Sequence, residues 1–441
     1  MTPTPTPKMP SSVPSPSDAL PLCTVLGRLD RLTDWEKRPR GGMRVGLEPM
    51  RDLLHRLGTP QASLRVIHVG GTKGKGSVCA LIEAGLMRAG LRVGRYASPH
   101  VESVTERVCL QGRPVEDARL ALALARALDA HEAAGRDGTA GRDATWFDVL
   151  TAAALTIFGE AELDWAVIEV GLGGRLDSTN AVGSEVAVVT NVALEHTEIL
   201  GHTRAAIAAE KVGILKPGAA LVTTLSPDDE AGAVASARAA ALSCPVLRPG
   251  LPDGASIDEE NAALAGLVLD HLGRRGALGR DGTPLRSSFL DAAARASARL
   301  PGRLERRRMR TATGAVPVVL DGAHVPFNLA AVLRDLARAP DLPGPCTALV
   351  ALAGDKDAAG FLAALARHGA SVVATEMPER RGHAAAALRA LAAAEGMEAE
   401  AVAAPDAGLT RAADLAALRG GWLLVTGSLH LVGALRAATE A

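Results

Sequence analysis

Aromatic side chains are scarce in this chain: five Phe, four Trp and one Tyr among 441 residues. That scarcity argues against the rows of stacking platforms that grip single-stranded bases. Lysine is nearly missing as well. Of 48 basic residues only Lys8, Lys37, Lys73, Lys75, Lys211, Lys216 and Lys356 are lysines; arginine carries the rest of the positive charge. A lysine kept in such a chain points to a need for a flexible primary amine. Neither charge sign dominates, because 48 basic against 49 acidic residues leaves a net charge of −1. No overall basic field exists to hold nucleic acid or an anionic membrane. No apolar run reaches the ~18 residues that a membrane span needs. The opening MTPTPTPKMPSSVPSPSD lacks the apolar centre of a signal peptide. The five cysteines (Cys23, Cys79, Cys109, Cys244 and Cys346) are odd in number and form no Cys-x-x-Cys pair. They describe neither a disulfide framework nor a zinc site. The expectation is a soluble, reduced, cytoplasmic protein.

What is present is ordinary globular material, 48% hydrophobic and 22% charged, in a chain long enough to bury a large core. Residues 1–20 are rich in Pro, Ser and Thr and are expected to form a disordered tail. Helical spacing follows in LGRLDRL and LEPMRDLLHRLG. Strand-length apolar runs then alternate with helical segments. LRVIHV (64–69), RVGRYA (92–97), DWAVIEV (164–170) and EVAVVTNV (185–192) read as strands buried on both faces of a parallel sheet. The alternation restarts near residue 300 with VPVVLDGAH (316–324), CTALVALAG (346–354), ASVVATE (370–376) and WLLVTG (422–427). The fold class expected is therefore α/β, in two units of 21–300 and 301–441 that meet near Leu300-Pro301-Gly302.

The strongest local signal is VIHVGGTKGKGSVCALIEAG, residues 66–85. A strand runs into a Gly-rich loop, then Lys and Ser, then a helix. Gly70, Gly71, Gly74 and Gly76 let backbone N–H groups turn toward phosphate oxygens, and the helix adds its positive end. Lys75 can reach the outer phosphates, and Ser77 stands near metal or phosphate. The spacing departs from GxxxxGK[ST], since Val69 fills the first position and Gly76 separates Lys75 from Ser77. The plain alternative is a Gly-rich strand–helix turn that binds nothing.

This loop, GTKGKGS (71–77), resembles that of the folylpolyglutamate synthase/dihydrofolate synthase family, which is related to the Mur peptide ligases. Other segments resemble the same family in the same order: YASPHVESVTERV (96–108), EVGLGGRLDSTN (169–180), EHTEILGHT (195–203), IAAEKVGILKPG (207–218), ENAALA (260–265), PGRLE (301–305), DGAH (321–324) and TGSLHLVG (426–433). The resemblance spans about 45 to 433. It implies a P-loop-containing, Mur-ligase-like central domain and a smaller Rossmann-like C-terminal domain that ligates glutamate.

The implied activity is ATP-dependent amide formation. A folate-type carboxylate is phosphorylated by ATP and then captured by the amine of L-glutamate, with tetrahydrofolate or dihydropteroate as the acid. The implied cofactors are ATP and Mg²⁺, and the protein is expected to act as a monomer. By the same resemblance ATP falls to Gly74, Lys75, Gly76, Ser77, Asn261, Arg303 and Asp321. Ser98, Glu169, His196 and Lys211 become magnesium positions, with Lys75, His196 and Lys211 catalytic. Read from residues alone, Glu169 is equally an ordinary strand-end charge, His196 a structural histidine, and Lys211 a helix lysine with its stem on the surface. The family carries a carbamylated lysine at the Lys211 position, and arginine cannot be carbamylated because it stays protonated. Thr145, Trp146, Phe147, Asp148, Leu176, Asp177 and Ser178 are implied to hold the acid, with Trp146 and Phe147 offering a stacking surface. The family often has Glu where Asp148 stands and Asn where Val325 stands. The rival readings are a Mur-type ligase of cell-wall synthesis and a P-loop NTPase that drives a partner interaction.

Overall fold

The near-continuous apolar runs become the centres of two sheets in the computed structural model, which describes residues 20–36, 46–252, 254–312, 314–377 and 382–440. Apart from Leu20, the expected tail lies outside the described residues. In the first sheet β1 (Val66–Gly70), β2 (Val93–Tyr96), β3 (Val108–Leu110), β4 (Arg113–Pro114), β5 (Trp165–Glu169), β6 (Ser184–Val189), β7 (Ala220–Thr223) and β8 (Val246–Leu247) lie in the order β4-β3-β2-β5-β1-β6-β7-β8. β1 is buried along its whole length between β5 and β6, with Ile67 in register with Val167 on one side and Val186 on the other. β3 runs antiparallel to both β2 and β4; the remaining pairs are parallel. Parallel central strands need covering on both faces, which is why they read as unbroken Val/Ile runs.

The second sheet holds β9 (Glu305–Thr311), β10 (Gly314–Leu320), β11 (Cys346–Val350), β12 (Ser371–Ala374), β13 (Ala399–Ala401) and β14 (Trp422–Thr426), in the order β13-β12-β11-β14-β10-β9. β9 pairs antiparallel with β10 at the edge, and the other pairs are parallel.

Helices cover both sheets. The helix Trp146–Glu160 is apolar nearly all round and lies in the core, with Leu150, Ile157 and Phe158 fully buried. Burying each such side chain contributes about 1.5–3 kcal/mol. Its start is fixed by a reciprocal cap: the Thr145 hydroxyl accepts from the Asp148 N–H, and the Asp148 carboxylate accepts from the Thr145 N–H.

The two sheets face each other with the carboxyl ends of their parallel strands, where α/β proteins place ligands. Direct contacts also join the two units. Asp335 accepts from the N–H of Ile257, which opens the helix Ile257–Arg274, at 2.7 Å. Arg436 reaches both Glu102 and Glu305. Among the described residues no helix is long and apolar enough to cross a membrane.

Candidate active site

The site starts at the end of β1. Gly71 has φ +138°, and a Cβ there would lie 1.9 Å from the Thr190 hydroxyl. Gly74 has φ +83°, and its Cβ would lie 2.6 Å from Asn261 Oδ1. Both positions need glycine on conformational and steric grounds. The helix Lys75–Arg88 begins at once, so its N-terminal N–H groups point into the gap. The loop is held from β6: Lys73 N–H donates to Asn191 Oδ1 at 2.9 Å, and the Lys73 carbonyl accepts from Thr190 Oγ1 at 2.6 Å. Lys75 Nζ lies 3.4 Å from the Thr72 carbonyl.

Glu169 closes β5 and is buried beside this loop. Its carboxylate accepts from the Ser98 N–H at 3.1 Å. Burial raises its pKa, opposed first by the charge of Lys75 and then by the Ser98 hydrogen bond. A Cβ on Gly76 would come within 3.3 Å of Glu169 Oε2, so the loop leaves the carboxylate room that a side chain would fill.

Lys211, at the end of the helix Arg204–Lys211, is buried and donates to the Gly71 carbonyl at 2.8 Å. Burial, reinforced by nearby Lys75, pushes its pKa down to about 7. His196 has φ +54° and opens the short helix Thr197–Leu200; its Nε2 lies 3.7 Å from Glu195 Oε1. Burial alone would raise the Glu195 pKa, but the nearby His324 ring, with Nε2 3.6 Å away, and the charge of Lys73 hold it far below the usual carboxylate range.

From the second sheet, Arg303 and Asp321 face this loop. The Asp321 carboxylate accepts from the N–H groups of Leu304 and Ala323, each at 2.9 Å. A single cleft of about 1800 Å³ collects Gly74, Lys75, Gly76, Ser77, Ser98, Glu169, His196, Lys211, Asn261, Arg303 and Asp321. Among the described residues no three His, Cys, Asp or Glu converge as a protein-only metal cage. One buried carboxylate with serine hydroxyls beside a phosphate loop is nonetheless the donor set Mg²⁺ takes, since that ion keeps waters and uses phosphate oxygens.

The seven residues expected to hold the acid do not line this cleft. Thr145 and Asp148 cap their helix, and Asp148 also accepts from the Ser178 hydroxyl at 2.6 Å. Trp146 is buried, with its N–H on Asp30 and Arg107 lying 4.9 Å over its ring. Asp177 accepts from the Leu172 N–H at 2.8 Å and from Thr179. Phe147 presses on Gly171, where a Cβ would lie 2.6 Å from its ring. Leu176 borders a separate small hollow of about 90 Å³.

Other cleft residues were not among the expected site residues. Trp35, Glu36 and His100 line it. Arg107, fully enclosed behind them, makes a two-point ion pair with Glu36 and donates to His100 Nδ1 at 2.8 Å. The available signal was the segment YASPHVESVTERV, which carries both His100 and Arg107.

A phosphate loop, a buried strand-end carboxylate and a second α/β unit across one cleft define an ATP-dependent ligase of the Mur type. The family model described as the Mur ligase glutamate ligase domain matches residues 302–429. A dihydrofolate synthase/folylpolyglutamate synthase of Mycobacterium tuberculosis is 31% identical over 426 residues, covering 87% of this chain and 83% of its own. The structure of Escherichia coli FolC in complex with DHPP and ADP superposes with a TM-score of 0.77 at 27% identity, covering 96% of this chain and 98% of that one. The Yersinia pestis bifunctional folylpolyglutamate synthase/dihydrofolate synthase complexed with AMPPNP and Mn ion gives 0.76 at 29% identity, covering 97% and 99%. The chain belongs to the dihydrofolate synthase/folylpolyglutamate synthase family.

Proposed function

We propose that this ligase joins L-glutamate to the carboxylate of a folate-type acid, extending tetrahydrofolate and converting dihydropteroate to dihydrofolate, through an acyl phosphate. The observation that carries the reading is the meeting of the phosphate loop, Glu169 and Lys211 with Arg303 and Asp321 in one cleft. The chain divides at about residue 300, and each part supplies one wall. Both walls come from one chain, so a monomer suffices. Buried free thiols at Cys79, Cys109, Cys244 and Cys346 suit the reducing cytoplasm.

The first step brings two anions together, so it needs fixed positive charge. Lys75 and Arg303 supply it from opposite walls, and the helix N-terminus after Gly74 supplies N–H donors. Ser77, Ser98, Glu169 and His196 would hold Mg²⁺, together with Lys211 once carbamylated. When bound, the ion draws off charge that develops on the transferred phosphoryl group. Lys211 suits carbamylation because an amine of pKa about 7 is substantially neutral at neutral pH. Its nitrogen bonds to the carbon of CO₂ and loses a proton, leaving two carboxylate-like oxygens. Asn261, packed on Gly74, and Asp321 hold the nucleotide. Phe147 and Asp177 act on the acid indirectly, by shaping the Gly171–Leu172 loop; Thr145, Trp146, Asp148, Leu176 and Ser178 support that wall.

Amide formation assayed with dihydropteroate, tetrahydrofolate and a UDP-muramoyl acid, each with glutamate and MgATP, tests the reading. Product from a pterin acid and none from the muramoyl acid is expected. The reverse pattern would assign the chain to cell-wall synthesis. Lys75→Ala should lower kcat by at least about 100-fold, the scale of losing one transition-state donor.

A further inference from the structure

Lys73 sits in the phosphate loop two residues before Lys75, and the mechanism above gives it no task. Its Nζ donates to Glu195 Oε1 at 2.9 Å and lies 3.4 Å from His324 Nε2. His324 belongs to the turn after β10, in the second sheet, 251 residues away. The other ring nitrogen, Nδ1, lies 2.9 Å from the Gly322 carbonyl, to which it can only donate. A neutral ring then presents Nε2 as an acceptor, the partner an ammonium requires. The Lys73 backbone is pinned separately by Thr190 and Asn191. Lys73 and Glu195 are 19% and 11% exposed, so little water competes for the bridge.

We propose that Lys73 is a positioning residue that locks the phosphate loop to the second sheet: held by Glu195, its ammonium receives His324 from across the cleft. The loop and the DGAH turn then reach their working separation together. A compact ammonium suits this place, because a carboxylate and an imidazole approach it from different directions and a planar guanidinium fork would overreach. The inference rests on the ligase reading. With the lock in place, water is kept from the activated acid until the amine arrives. Without it, water attacks the acyl carbon and the bond to the phosphate oxygen breaks. The acid and inorganic phosphate are returned, and ATP is spent with no amide formed.

The experiment compares the full-length protein with Lys73→Met and with His324→Leu, which severs the bridge from the other side and leaves the Lys73–Glu195 pair whole. Phosphate released per amide formed, the KM for glutamate, calorimetric ADP binding, and small-angle scattering with and without MgADP are measured. The wild type should release one phosphate per amide and compact on adding MgADP. Each variant should release several phosphates per amide, raise the glutamate KM by about tenfold, the scale of one charge-assisted hydrogen bond, and fail to compact, while ADP binding stays close to wild type. Should the wild type form no amide, the ligase reading fails, and the scattering arm still decides the lock. Variants that keep tight coupling and compact normally would overturn the inference. So would a loss confined to ADP affinity, which is what a purely local loop contact produces.

Discussion

The amine of Lys211 donates to the carbonyl of Gly71 at 2.8 Å, tying the end of one helix to the first residue of the phosphate loop. That bond holds a nitrogen in a buried place where its charge is disfavoured, and its pKa falls to about 7. Arginine cannot give up its proton there. Lys211→Arg and Lys211→Ala should both stay folded and lose at least about 100-fold in ligation, the scale of one transition-state contact. Added acetate should restore part of the activity to the alanine variant and none to the arginine variant, whose side chain still fills the space. Intact-protein mass measured under CO₂ should show the wild type alone gaining a carbamate. An active, unmodified Arg variant would reduce Lys211 to a buried structural cation.

The approach of Gly74 to Asn261 makes a second prediction. Alanine at 74 must hold φ +83° with its Cβ 2.6 Å from Asn261 Oδ1. The left-handed backbone alone costs roughly 1–2 kcal/mol, so ADP affinity read by calorimetry should fall about tenfold or more. Gly135→Ala is the contrast: that glycine lies in the helix Asp117–Asp137 with nothing within 4 Å of an added Cβ. It should stabilise the protein by about 0.5–1 kcal/mol in urea unfolding and leave ADP binding unchanged.

Arg107 is the buried brace of the Trp35–Glu36 wall. Its guanidinium meets Glu36 at 2.9 and 2.7 Å and His100 at 2.8 Å. Arg107 is enclosed but Glu36 is 32% exposed, so water screens one side of the pair and removing the arginine costs about 1–3 kcal/mol. Arg107→Ala should lose that much stability in urea titration. Arg107→Lys should recover little, since an ammonium cannot make the fork to Glu36 and also reach His100. A near-wild-type lysine variant would show the contact to be simple charge.

His68, in the middle of β1, predicts the acid limb of stability. The Thr179 hydroxyl donates to Asp177, so it accepts from His68 Nε2, which lies 2.9 Å away and carries the ring proton. Burial first, and then the charge of Lys216, push the His68 pKa down to about 3. Between pH 6.5 and about 3 the unfolded chain binds a proton that the folded chain refuses. Stability therefore falls as pH falls through that window, by about 1.4 kcal/mol per pH unit from this group. The difference between wild type and His68→Leu in urea titrations at pH 7 and pH 5 isolates the effect. The leucine variant should lose less stability on acidification; equal losses would mean that His68 is protonated in the fold.

Sequence made some of this architecture plain and hid the rest for physical reasons. β1, β5, β6, β11, β12 and β14 are buried on both faces, so their apolar runs announce them. β9, ERRRMRT, lies at a sheet edge with Arg308 and Arg310 exposed, and no apolar run marks it. The phosphate loop was legible because glycine, lysine and serine leave a pattern along the chain. The resemblance implied Asp148 and Asp177 as contacts to the acid; both give oxygens to neighbouring N–H and O–H groups, and no spacing reveals such partners. Trp35 and Glu36 reach the cleft only through tertiary packing.

The central claim is that the acid's own carboxylate takes the γ-phosphoryl group before glutamate arrives. Dihydropteroate or tetrahydrofolate labelled with oxygen-18 in that carboxylate, incubated with glutamate and MgATP, tests it directly by mass spectrometry of the released phosphate. One labelled oxygen in each phosphate, with release requiring both acid and glutamate, is the predicted result. Unlabelled phosphate, or equal release without the acid, would contradict the acyl-phosphate route and leave a nucleotide hydrolase in its place.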